Sequence, residues 1–382
     1  MTRNLYITHR IFKSINTIKK GGSDYIFDYF KNNRFFIVIE SNLTDFSSIK
    51  EDIIVISLQK KKIKKIIYLH KSKHKGLLIK FLKEFFIINF FLFFKIKKIN
   101  FAIVVNPINS FYIVFFYLLK RIKFKYFHIV DYTKDRFTNK LTNYVYLKFF
   151  IIAIYTSHKV GAVSMKIESL FNFKGKFIHM PNSPANRSFK PIDYDSKKFD
   201  LIFCVAEIND TINFDVIINA VHLLKKKIDI KILVTGNFIN ENFKLKLFKK
   251  LIDSNMKDNF DFIGFQNLDT LDYYLNYSKV GVVSYNKEKM LNYYLYADSL
   301  KIREYAFFSL PILSDDVFST ANEAEENKAG FIFNDHNEFY NLSLKLLTDK
   351  IFYNLISLNS KNWSNKNDKS IKLNQIDDEI MN

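Results

Sequence analysis

The chain has 382 residues, 48% hydrophobic and 25% charged, a globular balance and a length suited to two domains of roughly 100–200 residues each. One cysteine, Cys204, excludes a disulfide framework or a cysteine-based zinc cluster; no P-loop, G-x-G-x-x-G, H-E-x-x-H or G-x-S-x-G signature occurs. The net charge of +20 is uneven: residues 1–190 hold 35 basic and 10 acidic side chains, residues 191–382 hold 23 and 28, which implies a negative partner for the first half.

The start, Met1 to Phe12, has no apolar core of a secretory signal. The most apolar stretch, Leu77 to Phe94, is broken by Lys80, Lys83, Glu84 and Asn89, short of the about 20 residues a spanning helix needs. A cytoplasmic chain without a transmembrane anchor is the expectation. Runs at 35–39, 53–56, 101–105 and 127–130 read as buried strands, with helices near 23–32, 77–97, 111–122 and 138–157. Continuous rather than alternating apolar strands predict a parallel sheet covered on both faces.

Three of the five prolines fall between Pro181 and Pro191, which reads as a linker. The rhythm then restarts, with strands at 201–205, 230–235, 260–265, 280–283 and 311–313 and helices at 213–226, 241–254, 268–277 and 299–308. Two β/α series predict twin doubly wound, Rossmann-like domains facing across a cleft: 1–190, then 191–365, with a fraying polar tail over 366–382.

The sharpest chemical signal runs from Asp298 to Leu313. A loop opens into the helix expected from about 299, whose free N–H groups and positive dipole end suit a diphosphate. Lys301 and Glu304, at i and i+3, share a face: one suits phosphate, the other sugar hydroxyls. An ordinary solvated Lys/Glu pair is the competing reading. In the first half Asp131, Asp135 and Arg136 follow a strand end, where loops contact ligands in open α/β sheets; they suit an acceptor or a leaving phosphate, or cap the next helix. Gly21, Gly22 and Ser23 form either a phosphate- or acceptor-approaching loop or a tight turn.

Eight histidines give one i,i+4 pair, His70 and His74, in a lysine-rich stretch that opposes a metal; Asp315-Asp316 follows a strand, and no metal site is expected. The run containing Lys60, Lys61, Lys62, Lys64 and Lys65 precedes the phenylalanine-rich 77–94, a pattern suited to an anionic bilayer or to a solvated loop before a core helix. Aromatics lie in apolar runs rather than between Lys and Arg, which argues against a nucleic-acid partner.

The segment from Asp298 to Leu313 resembles the S-P-L-K-x-x-E-Y-x-A-x-G-x-P-V stretch of GT-B glycosyltransferases, especially retaining family 4. Gly21 to Asp24, Pro181-Asn182-Ser183, Gly236, Ala329-Gly330 and Trp363 resemble further family segments in the expected order, across nearly the whole chain. The Asp131 to Phe137 stretch resembles the D-x-x-x-D-x-F loop of a bacterial branch. The resemblance implies that Glu304 binds the nucleotide ribose and Lys301 lies near the diphosphate. The family's first glutamate is replaced by Ala297, and the Arg and Lys clamp after the first strand is absent from Val205 to Asn213. That departure leaves Lys301, with Lys287 and Lys289, as cationic candidates.

The implied activity is metal-independent, retaining transfer of a hexosyl group from a nucleotide-sugar to a glycan or glycolipid acceptor of lipopolysaccharide type, at the inner membrane surface. Asp131 and Asp135 are the catalytic candidates. Asp298, Ser299, Leu300, Lys301, Glu304 and Gly236 are the donor-binding candidates. A degenerate GT-B partner module is the alternative that the missing clamp favours.

Overall fold

The computed structural model describes residues 4–8, 24–31, 34–41, 53–59, 62–70, 77–130, 132–184, 188–290 and 292–381. Two compact units result: Met1–Met180 with Lys369–Asn382, and Pro181–Asp368. The division falls at Pro181, at the start of the proline-rich stretch, rather than at 190.

The first unit runs β1 (Asn4–Thr8), α1 (Asp24–Lys31), β2 (Phe35–Ser41), β3 (Ile53–Gln59), β4 (Lys62–His70), α2 (Leu77–Lys95) and β5 (Ile99–Val105). It continues through α3 (Pro107–Tyr112), α4 (Val114–Leu118), β6 (Ile122–Ile129), α5 (Lys140–Tyr155), β7 (Lys159–Ala162) and β8 (Phe177–His179). The sheet order is β4-β3-β2-β1-β5-β6-β7-β8. The strands from β2 through β8 in that order pair in parallel. β3 pairs antiparallel with both β2 and β4, which corrects the expectation of a wholly parallel sheet. Two residues join β3 to β4, and a parallel neighbour needs a crossover of about a dozen. Lys62, Lys64 and Lys65 therefore belong to a paired strand, not to a solvated loop. Lys60 and Lys61 lie outside the described residues.

The helix expected over 111–122 starts earlier, at Pro107, where a proline costs no helical hydrogen bond. It breaks at Ile113, and β6 takes the chain from Ile122. Among the described residues no helix is long and apolar enough to cross a membrane.

The second unit runs β9 (Phe199–Ile208), α6 (Phe214–Leu224), β10 (Ile232–Phe238), α7 (Glu241–Asp253), β11 (Phe260–Gly264), α8 (Leu268–Asn276) and β12 (Ser278–Val283). It closes with α9 (Leu300–Phe307), β13 (Ile312–Ser314), α10 (Ser319–Glu326), β14 (Gly330–Ile332), α11 (His336–Thr348) and α12 (Lys350–Lys366). All six strands are parallel, ordered β11-β10-β9-β12-β13-β14. Asn213, Asn240 and Asn267 each accept a hydrogen bond from the third helical N–H, so α6, α7 and α8 start where the pattern placed them. The chain builds outward from β9 in one direction, then crosses to β12 and builds in the other. Such a reversal is where open α/β sheets bind ligands, beyond the carboxyl ends of the strands.

The segment expected to fray is instead α13 (Lys369–Met381), and it belongs to the first unit. Leu373, Ile376 and Ile380, spaced for one helical face, are buried in the same cluster as Ile26, Phe27 and Met180. Arg34 pairs with Asp377, and Lys159 with Glu379 at 2.8 Å.

Lys125 is fully buried in this unit and is bonded to hydroxyls. Lys125 of β6 donates to Ser110 Oγ at 2.7 Å and Thr156 Oγ1 at 2.8 Å. Burial, reinforced by Lys176, pushes its ammonium down to about 7. Above that pH the folded side chain is neutral while the unfolded one stays protonated to about 10.4. The unfolded state then binds more protons, so stability rises with pH across this window by at most about 1.4 kcal/mol per unit. Calorimetry of the first unit's transition between pH 7 and 9 should show this rise, and Lys125→Met should flatten it.

Candidate functional site

The site in the second unit is built from the start of α9. Ser299 caps the helix, accepting from Ile302 N at 3.5 Å. Behind the cap, the Asp298 carboxylate takes Arg303 Nε at 3.0 Å, Thr320 Oγ1 at 2.7 Å and the backbone N–H of Asn182. Arg303 Nη2 reaches Glu323 at 2.7 Å, and the guanidinium lies 4.6 Å from the Trp363 ring centroid. Asp298 and Arg303 side chains are 0% and 3% exposed. Burial alone would lower the arginine's pKa, but Asp298 and Glu323 outweigh it and hold it raised. Asp298, expected to bind donor, is thus buried and accepts three hydrogen bonds from within the protein. Leu300 is 42% exposed.

With that network inward, Lys301 and Glu304 fall on the opposite, half-buried part of the helix. Lys301 Nζ donates to the Tyr285 hydroxyl and lies 4.9 Å from its ring centroid. Burial pushes the Cys204 thiol of β9 up to about 12, Glu304 adds to the rise and Lys301 opposes it. Tyr285 follows the end of β12, so Lys301 lies beside the strand-order reversal between β9 and β12. The other two cationic candidates are engaged: Lys287 with Asp316 and Lys289 with Asp210 at 2.8 Å.

Below α9, Tyr305 is fully buried and ties two strand ends, accepting from Cys204 N at 2.9 Å and donating to Val282 O at 3.0 Å. Gly281 makes this possible, since a Cβ there would lie 2.3 Å from the tyrosine ring. Gly236 does not end β10 as expected but sits within it, at a register shift against β9. Its φ is +110°, and a Cβ would lie 2.5 Å from the Val205 carbonyl. It permits close approach of two backbones at the strand ends.

Asp315 accepts from the N–H groups of Tyr285 and Val317, the latter at 3.1 Å. Burial pushes its carboxyl up to about 6 against those two donors. A cavity of roughly 230 Å³ lies here, lined in part by Asn213, Tyr285, Lys287 and Asp315.

In the first unit Asp131, Gly21, Gly22 and Ser23 lie outside the described residues. Asp135 and Arg136 are exposed in the turn after β6. The Arg136 guanidinium lies 5.5 Å from the Tyr146 ring centroid and borders a cavity of roughly 40 Å³ shared with Asn106 and His128. Asn106 has φ 83°, a left-handed value unusual for a non-glycine residue, and caps Ile108 N at 3.0 Å. Burial holds the His128 imidazole neutral, with its pKa pushed down to about 3. Its Nδ1 is 3.2 Å from the Tyr126 hydroxyl. Asn106 and His128 carried no sequence signal as site residues; the strained φ that marks Asn106 exists only in the fold.

Residues 187–363, nearly all of the second unit, match the family described as Glycosyl transferases group 1. Among curated proteins no relative matches by sequence. The fold is similar to sucrose-phosphate synthase from Thermosynechococcus elongatus, with TM-score 0.66, 12% identity and coverage of 100% of this chain and 99% of that one. A structure described as trehalose-6-phosphate from E. coli bound with UDP-2-fluoro glucose gives 0.66, 10%, 99% and 99%. The lipopolysaccharide outer core galactosyltransferase WaaB in its apo form gives 0.59, 11%, 95% and 95%. These likenesses show a GT-B fold, and the domain match supports a glycosyltransferase.

The site's geometry makes a sharp stability contrast. Arg303→Ala leaves the buried Asp298 carboxylate and the half-buried Glu323 beside no cation and should cost the second unit about 3–5 kcal/mol. Lys301→Ala, two residues away, should cost under about 1 kcal/mol. Calorimetry of both variants checks the contrast; equal losses would mean that Lys301 belongs to the scaffold.

Proposed function

We propose that the chain transfers a hexosyl group from a nucleotide-sugar to a glycan or glycolipid acceptor with retention of configuration. The carrying observation is the Lys301/Glu304 pair, set over the strand-order reversal of a unit that matches Glycosyl transferases group 1. In this reading Lys301 and the α9 N-terminus neutralise the diphosphate in place of a metal, and Glu304 accepts from the ribose hydroxyls. The acceptor oxygen forms a bond to the anomeric carbon while the bond to the diphosphate breaks. The acceptor's proton passes to the departing diphosphate. Electrostatic stabilisation of that leaving group is then the main contribution of the protein. Asp135, Asp131 and Arg136 are assigned to the acceptor, which the first unit holds.

A lipid-linked acceptor at the inner membrane surface accords with the basic first half. One structural neighbour, WaaB, is a lipopolysaccharide outer core galactosyltransferase, which supports this reading. A catalytically silent partner module remains the second reading. It is favoured by the end of β9 and the segment that follows, where no Arg or Lys occurs between Val205 and Asn213.

Titration calorimetry with UDP, GDP, ADP and the matching nucleosides tests the donor site. Glu304→Ala should weaken nucleoside and nucleotide alike by about 10–100-fold, the worth of a hydrogen bond to a charged group. Lys301→Ala should weaken the diphosphate but spare the nucleoside. Equal losses of both ligands in the lysine variant would remove it from the phosphate. Nucleotide binding without sugar release from any donor would favour the silent module.

A further inference from the structure

α2 is apolar on more sides than the fold uses. Ile88, Leu92 and Ile96 point inward and are fully buried or nearly so. On the outer side Phe86, Phe90 and Phe94 are 65%, 67% and 66% exposed. Phe115, Leu118 and Leu119, on and just after α4, are also exposed and complete a groove of roughly 950 Å³ with them. A soluble surface leaves large apolar side chains scattered; a contiguous group of six marks an interaction site.

The surrounding charge is one-sided. Between residues 77 and 130 there are nine basic side chains and one acid, Glu84, which is buried and accepts from the Tyr112 hydroxyl at 2.7 Å. Lys97 and Lys98 follow α2, Lys120 and Lys123 follow α4, and all four are exposed. Arg121 joins the two ends, its guanidinium 4.4 Å from the Phe93 ring centroid. An apolar groove edged by cations matches the cross-section of an anionic bilayer: acyl chains below, phosphates at the rim. A second copy of the chain would bring the same cations into opposition, so the charge argues against self-association.

We propose that the α2–α4 face docks on an anionic lipid surface, its phenylalanines entering the acyl boundary and Lys97, Lys98, Lys120 and Lys123 meeting headgroup phosphates. This deepens the proposed function by naming the surface on which a lipid-linked acceptor is met, and it rests on that reading only for its biological sense. It also moves the docking surface from the lysines of β4 to helices whose apolar residues are exposed.

The test uses the full chain with vesicles of phosphatidylcholine alone and mixed with phosphatidylglycerol. Wild type should co-sediment strongly with the mixed vesicles and only weakly with the neutral ones. The double variant Phe90→Ser, Phe94→Ser should lose at least about tenfold in partitioning, with unchanged thermal unfolding because both sites are exposed. Replacing Lys97, Lys98 and Lys120 by Gln should weaken binding at low salt, while a salt-resistant remainder persists from the aromatics. Phe90→Trp gives a depth reading, since the only native tryptophan, Trp363, is buried in the second unit. Its emission should shift to the blue on vesicles and be quenched by brominated acyl chains. No wild-type binding to mixed vesicles, or undiminished binding of the double Ser variant, would overturn the proposal. So would concentration-dependent self-association that the Ser variant abolishes, which would put a second copy on this face. Nucleoside diphosphate affinity, measured on the same samples, separates the two readings. Vesicle binding without nucleotide binding sinks the transferase and leaves the docking face, and the reverse sinks only the docking face.

Discussion

The buried pair between Asp298 and Arg303 is the constraint on which the candidate donor site depends. Further hydrogen bonds offset the desolvation of an ion pair this dry, and here Thr320, Asn182 and Glu323 supply them, while Arg303 Nη1 is buried without a partner among the described residues. The result is geometric rather than chemical. The pair fixes the rotation of α9 about its axis, so that Tyr305 points down to the ends of β9 and β12 while Lys301 and Glu304 stay at the surface. Trp363, at the far end of the sequence of this unit, closes the network over the guanidinium.

The same logic explains two glycines. Gly281 yields its side-chain volume to the Tyr305 ring, and Gly236 yields its volume to the Val205 carbonyl. Both lie in strands facing α9 or its neighbour β9, where backbones and a large ring converge. Close packing at the carboxyl ends of the strands leaves rigid walls for a ligand, which favours preorganised charge over adaptable loops.

The first unit spends its apolar content differently. Its β1 and nearly all of β5 are buried along both faces, and α13 returns to cover Ile26, Phe27 and Met180. α2 carries more phenylalanine than that core can take up. Lys125 shows the opposite economy: a charged residue type inside the fold, held by two hydroxyls and neutralised with ease because burial penalises its proton.

Strand and helix positions were legible because apolar periodicity is local, and asparagine caps such as Asn213 and Asn240 mark helix starts in the sequence itself. The succession of β/α units, the GT-B resemblance and the Lys301/Glu304 spacing were legible for the same reason. Pairing direction was not, because β3 is as apolar as a parallel strand, while β4, with three lysines among its nine residues, did not read as a strand; their short connection decides the matter. The fate of 366–382 was not either: Leu373, Ile376 and Ile380 look sparse until a partner face exists to bury them. Asp298 read as a ligand because a carboxylate at a helix start is polar in any sequence. Only the tertiary structure, by setting Arg303, Thr320 and Asn182 around it, turned that polarity inward. A sequence determines which side chains carry charge and at what spacing; which of them meet each other, and which are left to meet a ligand, depends on contacts between distant residues, 116 positions apart for Asn182 and Asp298 and 343 for Arg34 and Asp377.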